Sequence, residues 1–288
     1  MDSVAVYLDS FHILTEDEEI SYLQDYSRSY YENLYPFRIF PAKQISEFTF
    51  DHITIFYDGN GSGKTTLINT IASKLGAVRR SPISVGPHFD PYVERCHGYF
   101  ATGCKNINVL TGDDVSEYIM ETRYLNEGID TKREELLEDY NTLKGGNMRF
   151  RSMEDYDEFK EQQDARRYSK RDFIRKRLMP NPEMFSNGET AMKYYIQRIT
   201  DNGLFILDEP ENSLSAQLQA ELAGFIEDST RHFNCQFIIA THSPFFLSLP
   251  GAKIYNLDTV PVKTEYWTDL PNVRAYFDLF MKYRWDFQ

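Results

Sequence analysis

Three cysteines in 288 residues are too few, and odd in number, to form a disulfide framework. Cys96 and Cys104, with His97 between them, lack a fourth partner at zinc-site spacing, so the thiols read as reduced and metal-free. Long apolar runs are missing too. None approaches the ~20 residues of a membrane span, so no membrane segment is expected. Met1 to Glu19 carries acidic residues where an export signal has a basic stretch and an apolar core, which points to the cytoplasm. Positive charge is scarce: 31 Lys and Arg against 44 Asp and Glu leave a net charge of −13, which disfavours a surface that coats DNA generally. There is no internal repeat or low-complexity tract. Nor is there a nuclease-like second catalytic centre, so any nucleic-acid cleavage would come from a partner. With 41% hydrophobic residues the chain can bury a core as a single domain over 1–288, with a subdomain inside it.

What the chain does have is Asp58-Gly59-Asn60-Gly61-Ser62-Gly63-Lys64-Thr65-Thr66. A β-branched, aromatic run (Ile53 to Tyr57) precedes it and a helix-like run (Leu67 to Leu75) follows. Strand, glycine-rich turn and helix form the context that a phosphate-binding loop needs. Glycines let successive N–H groups converge on phosphate oxygens, and the helix N-terminus adds partial positive charge there. Lys64 would neutralise the β- and γ-phosphates, and the Thr65 hydroxyl would coordinate Mg²⁺. One position departs from the pattern G-x-x-x-x-G-K-[ST]: Asp58 stands where the first glycine belongs, with Gly59 beside it to supply the turn.

Leu204-Phe205-Ile206-Leu207-Asp208-Glu209-Pro210 reads as a strand buried on both faces and ending in two carboxylates. In an open α/β sheet such an end points into the ligand crevice. Asp208 would hold Mg²⁺ through its water shell, and Glu209 would polarise the attacking water. Phe185-Ser186-Asn187-Gly188-Glu189 precedes a helix-like run, with Ser186 22 positions before Asp208. Gln236 to Ala240 reads as another buried strand, followed by Thr241-His242-Ser243-Pro244, with His242 34 positions after Asp208. A helix cap or a packed histidine would explain either of the last two motifs alone. Their common order and spacing argue for a set.

That set resembles the ATP-binding-cassette ATPases: Walker A at 59–66, the signature at 185–189, Walker B at 204–208, a D-loop with Asn212 and Ser213, and His242 as switch histidine. A signature ending in Glu189 looks like the SMC/RecF branch, where transporter cassettes usually end in Gln. "LDEPENSLS" followed by "QFIIATHSPFFL" is similar to small stand-alone AAA-type ATPases of bacteria and phages, some tied to anti-phage defence. The resemblance implies a P-loop α/β fold with a mostly parallel core sheet, an N-terminal β-rich part and a lateral helical insertion. It implies ATP and Mg²⁺ as ligands, with Glu209 and His242 catalytic. It also implies a head-to-tail homodimer in which Ser186, Asn187, Gly188 and Glu189 close over the partner's ATP. Two roles stay open: an ATPase of DNA repair or defence, and an ATP-gated module that holds or releases an effector protein. A transporter cassette comes third.

Some expected parts are missing. No Q-loop glutamine is evident; Asp113 or Asp114 could stand in, although Asp114 reads equally well as a helix N-cap. Tyr35, Phe37 and Phe40 are candidates for adenine stacking, but alternating aromatics such as Phe37 to Phe40 also read as a strand in the core. The insertion (115–180) is polar and helix-like, and is too short for SMC coiled coils. Within it, Arg166, Arg167, Lys170, Arg171, Arg175, Lys176 and Arg177 crowd together. On one helix Arg167, Lys170, Arg171 and Arg175 would share a face able to grip a nucleic-acid backbone. An acidic protein would fit the same face; the alternative is a solvated helix paired with the acidic tract 154–164, or part of the ATP-dimer interface.

Overall fold

The computed structural model describes residues 6–25, 34–59, 61, 63–83, 85–101, 103–146, 156–182 and 186–287. Two compact units emerge: 1–116 with 187–288, and 117–186.

Among the described residues, the first unit is built on nine strands: β1 Leu8–His12, β2 Glu47–Thr49, β3 Ile53–Tyr57, β4 His97–Phe100, β5 Asn106–Thr111, β6 Gly203–Asp208, β7 Gln236–Ala240, β8 Lys253–Asn256 and β9 Lys263–Thr264. Six of them form a sheet in the order β5-β6-β7-β3-β8-β9, parallel except for the β8/β9 edge. β3 and β7 are buried along their whole length, as is β6 up to Leu207. This explains why their sequences run apolar without alternation: helices cover a parallel sheet on both faces. The helices Lys64–Lys74, Asn187–Arg198 and Ala216–His232 belong to this unit.

β2, β1 and β4 form a separate antiparallel sheet. Gln236, fully buried in β7, ties it to the main sheet. Its Oε1 accepts from the N–H groups of Tyr7 (2.9 Å) and Leu8 (2.8 Å), and its Nε2 donates to the carbonyls of Leu8 (2.9 Å) and Asp51 (3.1 Å).

The β-rich part is therefore present, but Phe37 to Phe40 is not one of its strands. Residues 35–40 form turns leading into a short 3-10 helix, Pro41–Lys43. Arg38 (φ 68°) and Gln44 (φ 52°) are left-handed, a conformation that a strand does not accommodate. Phe37 and Phe40 point into the core instead.

Helix Gly112–Gly145 runs on from the first unit into the second, which also contains Tyr156–Arg167 and Lys170–Arg175. Tyr140, Ala165 and Phe173 form the second unit's small core. Here the expectation of one continuous basic helix fails. Ser169 adopts extended angles and its Oγ accepts from the Asp172 N–H at 3.2 Å, starting a new helix. Arg167 thus closes one helix while Lys170, Arg171 and Arg175 ride the next. Arg177 donates to Asp164 at 3.0 Å and Arg166 to the Gly146 carbonyl at 2.7 Å, so both are engaged within the unit. Among the described residues, no helix is long and apolar enough to cross a membrane.

Candidate functional site

Because β3, β6 and β7 are parallel neighbours, their C-terminal ends share one edge of the sheet. Asp208 pairs with Ala240, and Ala240 with Phe56. This register brings the chain after Tyr57, the Asp208-Glu209 pair and the Thr241-His242 pair to the same edge, the position where open α/β sheets bind ligands.

The loop after β3 wraps a cavity of about 370 Å³ lined by Tyr35, Asp58, Lys64, Thr65 and Glu209 among others. Asn60 and Ser62 of this loop, and Phe185 and the neighbouring 183–184 before the signature, lie outside the described residues. Gly61 (φ 92°) and Gly63 (φ 99°) hold the turn in conformations that cost other residues dearly. Gly63 is also the N-cap of the helix Lys64–Lys74, which directs that helix's free N–H groups at the cavity. The Gly59 N–H is bound by the Asp258 carboxylate at 2.6 Å.

Lys64 is buried at 6% exposure, with its Nζ 2.8 Å from Asp58 and 3.4 Å from Glu209. Burial opposes its charge. The bond to Asp58 and the two carboxylate charges outweigh that penalty and hold its pKa above the ordinary lysine value. Asp208 shows the opposite balance. Burial, with the adjacent Glu209 charge, pushes its carboxyl up to about 6, against the pull of Lys64 and a hydrogen bond with Thr65. Among the described residues, Oδ1 of Asp208 is buried without a hydrogen-bond partner. A buried carboxylate oxygen with spare capacity beside a threonine hydroxyl is a hard-donor arrangement that fits Mg²⁺. Glu209 sits in a left-handed turn (φ 49°), its Oε2 accepting from Asn212 Nδ2 at 3.2 Å.

His242 is half exposed and is organised by Glu211, which the sequence places at the start of the D-loop, 211–215. Glu211 Oε1 accepts the His242 N–H at 3.0 Å and lies 3.2 Å from Nδ1, while Oε2 accepts from Thr241 Oγ1 at 2.8 Å. The D-loop motif locates Glu211 but does not reveal its hold on His242, which lies 31 positions further along the chain. Asn272 Nδ2 also donates to the His242 carbonyl at 2.6 Å.

The signature divides between the two units: Ser186 belongs to the second, while Asn187, Gly188 and Glu189 open the helix Asn187–Arg198 in the first. At Gly188 an added Cβ would meet Leu218 Cδ1 at 2.5 Å, with the Ser213 carbonyl 3.7 Å away. Gly188 thus sits against Ser213 of the same chain. Asp114 acts as a local structural anchor, accepting from Ser81 (Oγ 2.5 Å, N–H 3.1 Å) and from the Thr111 N–H (3.1 Å). Of the three aromatics considered for the base, only Tyr35 lines the cavity, and its hydroxyl donates to Thr66 Oγ1 at 3.0 Å.

Residues 109–248 match the family model described as "AAA domain, putative AbiEii toxin, Type IV TA system". Among solved structures, "An inward-facing conformation of a putative metal-chelate type ABC transporter" is similar at TM-score 0.39 and 16% identity, over 81% of this chain and 80% of that one. The SMC head domain from Thermotoga maritima is similar at TM-score 0.38 and 13% identity, over 87% of this chain and 94% of that one. No curated protein sequence matches. The matched segment begins within β5 and contains the strands ending at Asp208 and Ala240, beside which the glycine loop and Lys64 complete the edge of the sheet; over that segment the chain is similar to this family of AAA domains.

Proposed function

We propose that this protein binds ATP with Mg²⁺ at the loop after β3 and hydrolyses it. The convergence of Lys64, Thr65 and Glu209 on one cavity, with Asp208 hydrogen-bonded to Thr65, carries this reading. Asn60, Gly61, Ser62 and Gly63 would offer backbone N–H groups to the phosphates, with Thr66 behind them, while Gly59 supplies the turn and its N–H stays with Asp258. Mg²⁺, held by Thr65 and through water by Asp208, would neutralise charge developing on the γ-phosphate. Glu209, braced by Asn212, would orient the attacking water and draw off its proton. His242, oriented by Glu211, would touch the γ-phosphate.

The second half of the proposal is a head-to-tail dimer. The start of helix Asn187–Arg198 is an N-terminal anion site with no triphosphate of its own chain to bind, so a partner's γ-phosphate is its natural ligand. Asn212 and Ser213 would pack across that interface. As for role, the family description names a toxin and a toxin–antitoxin system, which supports the ATP-gated module that holds or releases an effector protein over the ATPase of DNA repair or anti-phage defence. DNA repair is the second reading, supported by exposed Lys170, Arg171 and Arg175 on one short helix.

The test is solution mass by light scattering of Glu209→Gln with Mg-ATP and with Mg-ADP. The variant should bind ATP, release no phosphate and double its mass in ATP alone. A monomer with ATP bound would refute the dimer. Undiminished phosphate release would refute the role of Glu209.

A further inference from the structure

Asp58 has no part in the phosphate-loop chemistry above, yet it is 3% exposed and touches the residue that this chemistry most depends on. It stands where the loop pattern has glycine, directly after β3, and its Oδ1 lies 2.8 Å from Lys64 Nζ. Lys64 is itself 6% exposed, so this is a buried ion pair inside the phosphate cavity. Glu209 flanks the same ammonium at 3.4 Å.

We infer that Asp58 is a built-in competitor for Lys64 that sets the preference for nucleoside triphosphate over diphosphate. This rests on the nucleotide reading given above. An ammonium between two carboxylates leaves for a phosphate only if the phosphate offers more charge than it gives up. Removing a charge from a buried pair also strands its partner, at a cost well above that of a surface pair. A triphosphate with its Mg²⁺ can draw Lys64 towards the β- and γ-oxygens. A diphosphate has no γ-phosphate and holds Lys64 by its β-oxygens alone. After hydrolysis Asp58 would recover Lys64, and its charge would repel the remaining β-phosphate. The glycine that the pattern places here can do neither, so Asp58 would speed ADP departure at some expense in ATP affinity.

Asp58→Asn keeps the size and an oxygen acceptor while removing the charge. Titration of the full chain with fluorescent ADP and ATP analogues, with Mg²⁺, should show ADP bound about tenfold tighter in D58N, a change equal to about 1.4 kcal/mol. ATP should tighten less, narrowing the ATP-to-ADP preference. A variant that merely loosened the loop would weaken both nucleotides. Asp58→Gly, which restores the pattern's glycine, should move in the same direction and serves if D58N does not fold. Unchanged affinities, or weaker binding of both nucleotides in well-folded variants, would overturn the competitor role and leave the nucleotide site standing. Wild-type protein that binds neither nucleotide would overturn the site and Asp58's role together.

Discussion

Gly63 tests the loop's architecture most directly, because two separate physical costs meet there and can be measured apart. Its φ of 99° is a conformation that L side chains rarely adopt, and an added Cβ would lie 2.8 Å from Ile39 Cγ2. Gly61 shares the first problem (φ 92°) but has nothing within 4 Å of its added Cβ. Gly61→Ala should therefore incur only the backbone cost, about 1–2 kcal/mol. Gly63→Ala should add a packing clash of about 1–3 kcal/mol. Urea denaturation of both variants, alone and with Ile39→Ala, separates the two. Ile39→Ala removes the clashing methyl, so the G63A/I39A cycle should show a favourable coupling of about 1 kcal/mol or more. The G61A/I39A cycle should show none. Equal destabilisation by G61A and G63A, or no coupling to Ile39, would mean that the loop does not pack on the 35–40 turn as described. Nucleotide binding in the same samples should fall further in G63A, whose backbone starts the helix aimed at the phosphates.

Glu19 is 3% exposed, and its carboxyl is pushed up to about 7, chiefly by burial, despite accepting the Arg38 N–H at 2.7 Å. The folded state therefore keeps a proton that the unfolded chain gives up, so stability should fall as pH rises from about 4.5 to about 7 and then level off. Glu19→Gln keeps the acceptor, so it should remove that slope and stabilise the protein at pH 8 by about 1–2 kcal/mol; a variant with the wild-type pH profile in thermal melts would refute this. Gln236→Leu would leave the Tyr7 and Leu8 N–H groups and two carbonyls without their buried partner. At about 1–3 kcal/mol for each stranded group, it should cost about 3 kcal/mol or more, with hydrogen exchange rising first in β1. Slow exchange there in the variant would show that the antiparallel sheet holds without it.

The local structure around the glycine loop was readable along the chain because its parts are contiguous: strand, glycines, lysine and helix follow one another within 53–75. Period and composition also gave β6 and β7, because a strand buried on both faces must be apolar throughout. Reading failed where a backbone angle overrode the pattern. Phe37 to Phe40 reads as a strand by composition, but left-handed Arg38 turns the segment into a loop that points Phe37 and Phe40 into the core. Arg167, Lys170, Arg171 and Arg175 read as one helix face, but the Ser169 cap splits them between two helices. What sequence could not give was adjacency between distant segments. Only the parallel register of β3, β6 and β7 sets Lys64 beside Glu209 and Glu211 beside His242. Asp58 likewise read as a tolerated variant of a glycine. It became a competitor only once folding buried its carboxylate against Lys64, because whether a charge helps or hinders depends on which partner shares its low-dielectric surroundings.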